Sequence, residues 1–336
     1  MRAAIRTRLW HPKYGPLLRN LYGLASELSV YGRWLALKAL SLAVLGLCGQ
    51  NRRTERAIIS LGNRLFGSRL PLSMFTDYES YVTEYASSLE PYFALYDRRL
   101  WLEGCMVLDL GSGLGQYSAL LLQHGARRVV SLEYQHEKAL WARKRFGESP
   151  ALAVTSGSAE ALPFRAGSFD AVFSHTVFEH IGDVGSALKS VASVLKDDGV
   201  ALIGYNYLHH RGGHHLFPYI HFPWATWIVS EAALCEYWSD RLAADQEKGL
   251  LGFYPQGCRV RSLSEGNEIH LNRLNFDQFE ALVTEAGLHI VRQVPSEALG
   301  RCLPFLLRVP RLKYFLAGTI YYVLAKRPEP LIARGC

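Results

Sequence analysis

The chain has 336 residues, of which 49% are apolar and 20% are charged, as in a globular protein that buries a full core. Residues 1–70 contain 12 Lys/Arg and 2 acids, so the net charge of +7 comes from this segment and the rest is slightly acidic. A protein body that follows a phosphate backbone usually has a basic face, which disfavours a nucleic-acid partner. The six cysteines lack metal-ligand or redox spacing, which favours a cytoplasmic location.

The N-terminal segment combines basic residues with an apolar run. Residues 28–47 are mostly apolar but include Arg33 and Lys38. The uncharged residues 39–48 span only about 15 Å as a helix, against about 30 Å for a bilayer core, so a membrane span is disfavoured. We predict that residues 1–75 form a helical extension that packs on the core or caps the site. Peripheral attachment to an anionic membrane face stays open, because basic residues flank the apolar run.

A glycine-rich turn follows the first predicted strand of the body. Residues 106–110 read as a buried strand that carries Asp109 near its end, and Gly111, Gly113 and Gly115 alternate directly after it. Alternating glycines let the backbone approach a ligand that side chains would block. This turn therefore predicts a ligand at the carboxyl end of the strand.

The next predicted strand ends in a second acid, Glu133. An acid at this point, about 20 residues after the glycines, suits hydrogen bonds to a ribose diol, which predicts an adenosine-containing cofactor. A dinucleotide fingerprint would need glycine at position 116, where this chain has Gln116. A nicotinamide oxidoreductase is therefore a disfavoured alternative.

Strand and helix patterns alternate through the body. Strands are predicted at residues 106–110, 128–133, 151–155, 171–174, 199–205, 289–294 and 319–326. Helices are predicted at residues 116–124, 136–146, 184–195 and 275–287, with a turn at 197–199. This alternation predicts an α/β fold with a doubly wound sheet.

Three further motifs follow the glycine turn in order. They are GSAEALPF at residues 157–164, GSFDAVFS at 167–174 and VFEH at 177–180. Together with the glycine turn, this set resembles the class I S-adenosylmethionine-dependent methyltransferases of the small-molecule type. The resemblance implies a seven-stranded sheet whose last two strands form a hairpin with one strand antiparallel. It also implies a methyltransferase domain over residues 76–330, with a helical lid near 78–102 and a hinge near 67–71.

The resemblance also implies which residues contact S-adenosylmethionine. They are Asp109, Gly111, Ser112, Gly113, Gly115, Glu133, Tyr134, Ser158, Ala159, Ser174 and His175. Ser158 departs from the family pattern, in which an Asp commonly accepts from the adenine amino group. A hydroxyl makes this bond less strongly, because charge-assisted hydrogen bonds are about twice as strong as neutral ones.

Residues 206–274 are longer than a minimal methyltransferase needs. They follow the carboxyl end of a strand, which predicts a substrate-recognising cap insertion. The cap holds five histidines within 13 residues: His209, His210, His214, His215 and His221. No acid joins them at metal-ligand spacing, so we predict no metal. Interleaved aromatic residues suit either an acceptor surface or a second small core.

Three histidines are candidates for catalysis: His180, His214 and His215. His180 belongs to the VFEH motif, where similar methyltransferases sometimes use this histidine or the acid beside it near the acceptor. A hydroxyl acceptor would need a base, and histidine, with an ordinary pKa of about 6.5, is suitably poised. O-methylation and the histidine hypothesis are therefore linked.

The predicted function is methyl transfer to a small-molecule acceptor, most plausibly a hydroxyl of a sugar, glycan or lipid-linked intermediate. Residues 213–216 and 222–224 resemble bacterial methyltransferases of cell-surface polysaccharide assembly. A phenolic, polyketide or quinone-like acceptor is the alternative. A degenerate methyltransferase fold that serves as a binding subunit is the alternative from another class.

Overall fold

The computed structural model describes residues 15–67, 72–84, 102–146, 149–264 and 270–328. The strands are β1 (Met106–Leu110), β2 (Arg128–Glu133), β3 (Leu152–Ser156), β4 (Phe169–His175), β5 (Leu195–Asn206), β6 (His289–Pro295) and β7 (Thr319–Ala325). The helices are α1 (Gly15–Cys48), α2 (Arg52–Phe66), α3 (Gln116–Gln123), α4 (His136–Phe146), α5 (Val184–Val194), α6 (Glu231–Gln246), α7 (Phe276–Glu285), α8 (Ala298–Cys302) and α9 (Pro310–Leu316).

The strands form one seven-stranded sheet with the order β3-β2-β1-β4-β5-β7-β6. The first five strands are parallel, and β7 pairs antiparallel with both β5 and β6. This is the topology that the sequence implied, and the predicted doubly wound fold is confirmed. The carboxyl ends of β1, β2 and β4 therefore meet at one edge of the sheet, where the strand order reverses.

One predicted turn is wrong. Residues 197–199 lie within β5, which begins at Leu195 directly after α5. Leu195 pairs with Phe169, and the register shifts before Val200 pairs with Ala171. This register shift accommodates the residues between Leu195 and Val200, so a segment that locally favours a turn stays in the strand.

Side chains alternate between the two faces of the sheet and fill a core on each. Leu108 and Leu110 face a core that α5 and α7 complete. Val107 faces the opposite core with Tyr117 and Leu121 of α3. Helix α7 lies where the sequence predicted a helix, and it begins at a capping box, in which Asn275 and Gln278 each satisfy the other's backbone N–H.

A third core joins the N-terminal helices to the insertion. Val30, Trp34 and Leu37 of α1 are buried against insertion residues such as Trp224 and Trp238. The Trp224 ring stacks on Phe315 with ring centroids 4.3 Å apart. The predicted helical extension therefore packs on the cap, and the interleaved aromatics form this core in large part.

Helix α1 has two different faces. Its buried side chains recur at helical spacing: Glu27, Val30, Tyr31, Trp34, Leu37 and Ser41. The other face is apolar yet exposed, with Leu28, Leu35 and Leu42 each about 60% exposed. By length and composition, residues 24–48 could cross a membrane. Because one face of α1 packs on the protein, α1 could span a membrane only if its contacts with the third core were broken.

Part of the predicted lid lies outside the described residues. Residues 78–84 are helical, as predicted, while residues 85–101 and the hinge residues 68–71 fall outside the description. Leu102 is buried and is not helical, so the predicted helix ends before it. Met74, Phe75 and Tyr81 border the cavity described below.

Candidate active site

The glycine turn is tied to β2 by its backbone. The N–H groups of Gly111 and Ser112 donate to the carbonyl of Leu132 at 2.8 and 3.0 Å. Gly111 has a φ of +72°, and a Cβ there would lie 2.4 Å from Cγ1 of Val177. Only glycine fits this position, because both the backbone conformation and the space exclude a side chain.

Glu133 holds the glycine turn from the tip of β2. Its Oε2 accepts from the Gly113 N–H at 2.8 Å and its Oε1 accepts from the Gln135 N–H at 2.9 Å. The side chain is 8% exposed and borders the cavity. Neighbouring Tyr134 is 77% exposed and lies at the cavity edge. The carboxylate thus fixes the turn and faces the space where a ribose is expected.

Three predicted cofactor contacts lie behind the cavity wall instead of in it. The Asp109 carboxylate accepts from the Ser118 hydroxyl at 2.5 Å, and burial raises the pKa of Asp109 to about 7. The Ser174 hydroxyl donates to the Leu110 carbonyl at 3.0 Å. Gly115 starts α3 with a φ of +81° and packs against Phe146. These residues shape the turn from beneath, because their contacts point into the protein.

The remaining predicted cofactor residues border one cavity. Ser158 accepts from the Glu160 N–H at 3.2 Å and starts a short 3-10 helix that includes Ala159. His175 is buried, with its ring 4.9 Å from Tyr117 and 5.6 Å from Tyr321. Burial lowers the pKa of His175 to about 3, so this ring is neutral at pH 7.

The cavity is continuous and has a volume of about 1140 Å³. One end is bordered by Gly111, Ser112, Gly113, Glu133, Tyr134, Ser158, Ala159 and His175. The other end is bordered by insertion residues, among them His210, His214, His215, His221 and Phe217. Ligand pockets usually measure about 300–1,000 Å³, so this space can hold a cofactor and an acceptor together.

A buried carboxylate, Glu179, directly precedes His180 and lies behind the cavity wall that His180 borders. Its Oε1 accepts from Nδ2 of Asn206 at 2.6 Å, and the Thr319 hydroxyl donates to Oδ1 of Asn206 at 2.5 Å. Its Oε2 has no hydrogen-bond partner in the described part of the chain. The side chain is 2% exposed, and this burial raises the pKa of Glu179 to about 8.

His180 and His215 approach this carboxylate. The His215 Nε2 atom is 3.8 Å from the Glu179 Oε1 atom, and the His180 and His215 rings lie 5.0 Å apart. His180 Nδ1 is 2.7 Å from the carbonyl oxygen of His270. A carbonyl only accepts, so Nδ1 carries the hydrogen and Nε2 keeps a free lone pair. Burial lowers the pKa of both rings, to about 4 for His180.

His214 has a different arrangement. Its Nδ1 accepts from the Leu216 N–H at 3.0 Å, so a neutral ring carries its hydrogen on Nε2. His210 repeats this pattern, with Nδ1 accepting from the Gly212 N–H at 3.1 Å. Burial lowers the pKa of each to about 3. This geometry favours a hydrogen-bond donor over a base for His214.

Sequence reasoning missed three contributors to the site. Asn206 and Thr319 hold Glu179 in place, and a half-buried ion pair joins Arg211 to Glu297 at 2.6 Å on the cavity wall. The VFEH motif had pointed to the acid beside His180. No local pattern marked Asn206 or Thr319, because their pairing depends on β5 and β7 lying side by side.

Comparison with known proteins identifies a methyltransferase domain within the body of the chain. Residues 108–203 match the family model described as a methyltransferase domain. The malonyl-[acyl-carrier protein] O-methyltransferase of Geobacter sulfurreducens is 29% identical over 128 residues, which are 37% of this chain and 46% of that protein. The glycine/sarcosine/dimethylglycine N-methyltransferase of Actinopolyspora halophila is 32% identical over 99 residues, which are 29% of this chain and 18% of that protein.

The matches span less than half the length of these relatives. The crystal structure of an S-adenosylmethionine-dependent methyltransferase from Mesorhizobium loti overlays with a TM-score of 0.45 at 14% identity, covering 70% of this chain and 97% of that one. Residues 108–203 of the chain therefore carry a methyltransferase domain. S-adenosylmethionine is the cofactor of this kind of domain.

Proposed function

We propose that the protein transfers a methyl group from S-adenosylmethionine to a hydroxyl of a small-molecule acceptor. The observation that carries this proposal is the continuous cavity, which runs from the glycine turn and Glu133 to the histidines of the insertion. A cofactor at one end and an acceptor at the other would meet inside one continuous cavity.

The residues of the glycine end fit S-adenosylmethionine. Gly111 and Gly113 border the cavity without side chains, and Glu133 presents a carboxylate where ribose hydroxyls are expected. Ser158 and Ala159 border the region expected to take the adenine. When bound, S-adenosylmethionine supplies a methyl carbon on a positively charged sulfur, which is already a strong electrophile. The protein is therefore needed chiefly to bind, orient and exclude water.

Alignment outweighs base catalysis in this proposal. Orientation can supply about 7–11 kcal/mol, whereas a general base gives about 10²–10⁴-fold in rate, or about 3–5 kcal/mol. The free Nε2 lone pair makes His180 the best placed base, with His215 beside it. Its lowered pKa keeps His180 neutral at pH 7, so it can accept a proton from a hydroxyl.

A sugar, glycan or lipid-linked acceptor is supported by the polar wall of the insertion end. This wall presents histidines and the Arg211–Glu297 ion pair, which suit a ligand with several hydroxyls. A phenolic, polyketide or quinone-like ring is the second candidate, supported by Phe217 and Phe253, which also border the cavity.

We also propose that the protein works at a cytoplasmic membrane face. Support comes from the exposed apolar face of α1, on which Leu28, Leu35 and Leu42 lie in one row. Exposed basic residues at Arg33 and Arg53 lie in the same N-terminal segment. A helix of this kind can lie in the membrane interface while its other face holds the protein body.

The first experiment is a calorimetric titration of the full chain with S-adenosylmethionine, S-adenosylhomocysteine and NAD. Micromolar binding of the two adenosyl compounds, without NAD binding, is the expected result. Sugars and phenols would then be screened by release of S-adenosylhomocysteine. Absence of adenosyl binding would favour the binding-subunit alternative, and binding of NAD alone would overturn the cofactor.

A further inference from the structure

Three donor side chains meet at the cavity wall, which His180 and His215 border and behind which Glu179 is buried. Glu179, His180 and His215 each offer one ligand atom, and these atoms all lie within 4.8 Å of one another. Glu179 and His180 come from the short 3-10 helix after β4, while His215 comes from the insertion. The cluster therefore forms only when the insertion folds over the sheet.

The hydrogen bonding of His180 presents a ligand lone pair. Its Nδ1–H donates to the His270 carbonyl, which fixes the ring and leaves Nε2 free of hydrogen. Metal-binding histidines almost always donate their other ring N–H in this way, to a carbonyl or a carboxylate. The arrangement is therefore that of a prepared ligand as well as that of a base.

Glu179 lacks the partners that a buried carboxylate normally has. It is 2% exposed, its Oε2 has no hydrogen-bond partner among the described residues, and no Lys or Arg pairs with it there. Burying a carboxylate without a cation is costly. A cation bound to Glu179 would offset this cost.

The spacing of the donors also fits one ion. Glu179 Oε1 and His215 Nε2 are 3.8 Å apart, which is too long for a hydrogen bond. Two ligands bound at about 2.0–2.1 Å to one tetrahedral ion lie about 3.4 Å apart. A shift of a few tenths of an ångström by His215 would therefore complete this pair.

We propose that Glu179, His180 and His215 form a binding site for a divalent first-row transition cation such as Zn²⁺. Two imidazoles and one carboxylate are donors that suit Zn²⁺ and its neighbours, whereas Ca²⁺ and Mg²⁺ prefer oxygen ligands. Three protein ligands leave a coordination position open. His180 and His215 border the cavity, so this position would face the acceptor space.

The use of this ion rests on the proposed function, although its binding does not. An acceptor hydroxyl that reaches the cation would lose its proton to solvent more readily, because such ions lower the pKa of oxygen ligands. His180 would then serve as a ligand, and the cation would replace it as the group that activates the hydroxyl. The sequence had predicted no metal because the third donor lies in a distant segment.

The test is a titration of the chelator-treated full chain with Co²⁺ alone, followed by visible absorption, with Zn²⁺ added as competitor. We expect one equivalent to bind and Zn²⁺ to displace it. E179Q and H180Q should each weaken binding at least 10–100-fold, the range seen even for outer partners of metal sites. H215N should weaken binding in the same way. Asn is chosen because His215 has a backbone φ of +52°, which Asn tolerates.

His209→Gln is the matched control, since His209 lies in the same segment but contacts Thr226 at 2.9 Å outside the cluster. It should bind Co²⁺ like the unmodified chain. No binding by the unmodified chain, or equal binding by E179Q, H180Q and H215N, would overturn the inference. S-adenosylhomocysteine binding, measured with chelator present, separates the two proposals, because it tests the cofactor site without the metal.

Discussion

At the scale of single residues, Glu133 both holds the glycine turn and borders the cavity, whereas the sequence indicated only a contact with the ribose. Its carboxylate accepts two backbone N–H groups, from Gly113 and Gln135, and it also borders the cavity. The acid that is predicted to meet the ribose therefore also shapes the glycine turn beside the cavity. Loss of this side chain should therefore affect both the glycine turn and cofactor binding.

We expect Glu133→Ala to weaken S-adenosylhomocysteine binding by about 10–150-fold. A hydrogen bond to a charged group contributes about 1.5–3 kcal/mol, which corresponds to this range. Calorimetry at constant salt measures the change. Glu137→Ala is the control, because Glu137 is exposed in the first turn of α4 and should leave binding unchanged. Equal affinity of the Glu133 variant would remove this residue from the cofactor site.

Gly111→Ala and Gly113→Ala should differ in stability. Both glycines have positive φ, but a Cβ at Gly111 would meet Val177 at 2.4 Å, whereas one at Gly113 meets nothing closer than 3.8 Å. We expect Gly113→Ala to cost about 1–2 kcal/mol from the backbone alone. Gly111→Ala should cost about 1–3 kcal/mol more from overpacking.

Urea unfolding measures both variants. Adding Val177→Ala to Gly111→Ala should recover the steric part of the loss but not the backbone part. If Val177→Ala gives no recovery, the close approach of this turn to Val177 is not the reason for the glycine.

Asp109 should give the apoprotein a pH-dependent stability. Burial raises its folded pKa from 3.8 to about 7, so the folded state favours the protonated carboxyl. Its stabilising contribution is complete below about pH 4, falls as pH rises, and is lost above about pH 7. The full change is about 4 kcal/mol.

Asp109→Asn should lack this pH-dependent contribution to stability while keeping a hydrogen-bond acceptor for the Ser118 hydroxyl. We expect its free energy of unfolding, measured in urea between pH 4 and pH 8, to fall less steeply than that of the unmodified chain. Parallel curves would show that Asp109 does not titrate in this range. Other buried acids are common to both proteins and cancel in the comparison.

At the scale of elements, α1 is divided between a packed face and an exposed apolar face. Trp34 is 5% exposed and its ring lies 5.0 Å from that of Phe315, while neighbouring Leu35 is 59% exposed. Lys38 and Arg33 also donate to backbone carbonyls of Trp227 and Leu65. The helix is therefore held by the body along one side only.

Trp34→Ala should lower the free energy of unfolding by about 3–5 kcal/mol, because it removes a buried indole from the third core. Leu35→Ala should stay within about 0.5 kcal/mol, as exposed substitutions usually do. Thermal and urea unfolding of both variants test this difference. Similar losses for both would contradict the division of α1 into two faces.

At the scale of the whole molecule, the exposed leucines of α1 (Leu28, Leu35 and Leu42) and the cavity belong to one packed protein body. The third core links α1 and α2 to the insertion that borders the acceptor end of the cavity. A membrane bound by α1 would therefore be connected to the acceptor site by packed side chains. This arrangement suits an acceptor that is itself attached to lipid.

We expect the full chain to sediment with vesicles that contain anionic lipid and to bind less at high salt. Replacing Leu28, Leu35 and Leu42 together by Gln should weaken binding at least tenfold, since each buried Leu contributes about 1.5–3 kcal/mol. Leu140→Gln is the control, because Leu140 is 52% exposed on the distant helix α4. Failure of the unmodified chain to bind would reject the membrane proposal.

Much of the fold could be predicted because its signals are local. The alternation of strands and helices, the glycine turn and the capping box at Asn275 depend on neighbours within a few residues. The acid at the end of β2 follows from the same local pattern, and its position by the turn is the one expected. The sequence by itself therefore determined the sheet, the glycine turn with its acid and the class of domain.

Contacts between distant segments decided the rest. Glu179 and His215 are brought together by the insertion, and Asn206 meets Thr319 because β5 pairs with β7. Asp109 was expected at the ligand, yet the packing of α3 turned it toward Ser118. The outward face of α1 is likewise set by which side the insertion covers. Only the tertiary structure could decide these features, because each depends on long-range packing that no local pattern encodes.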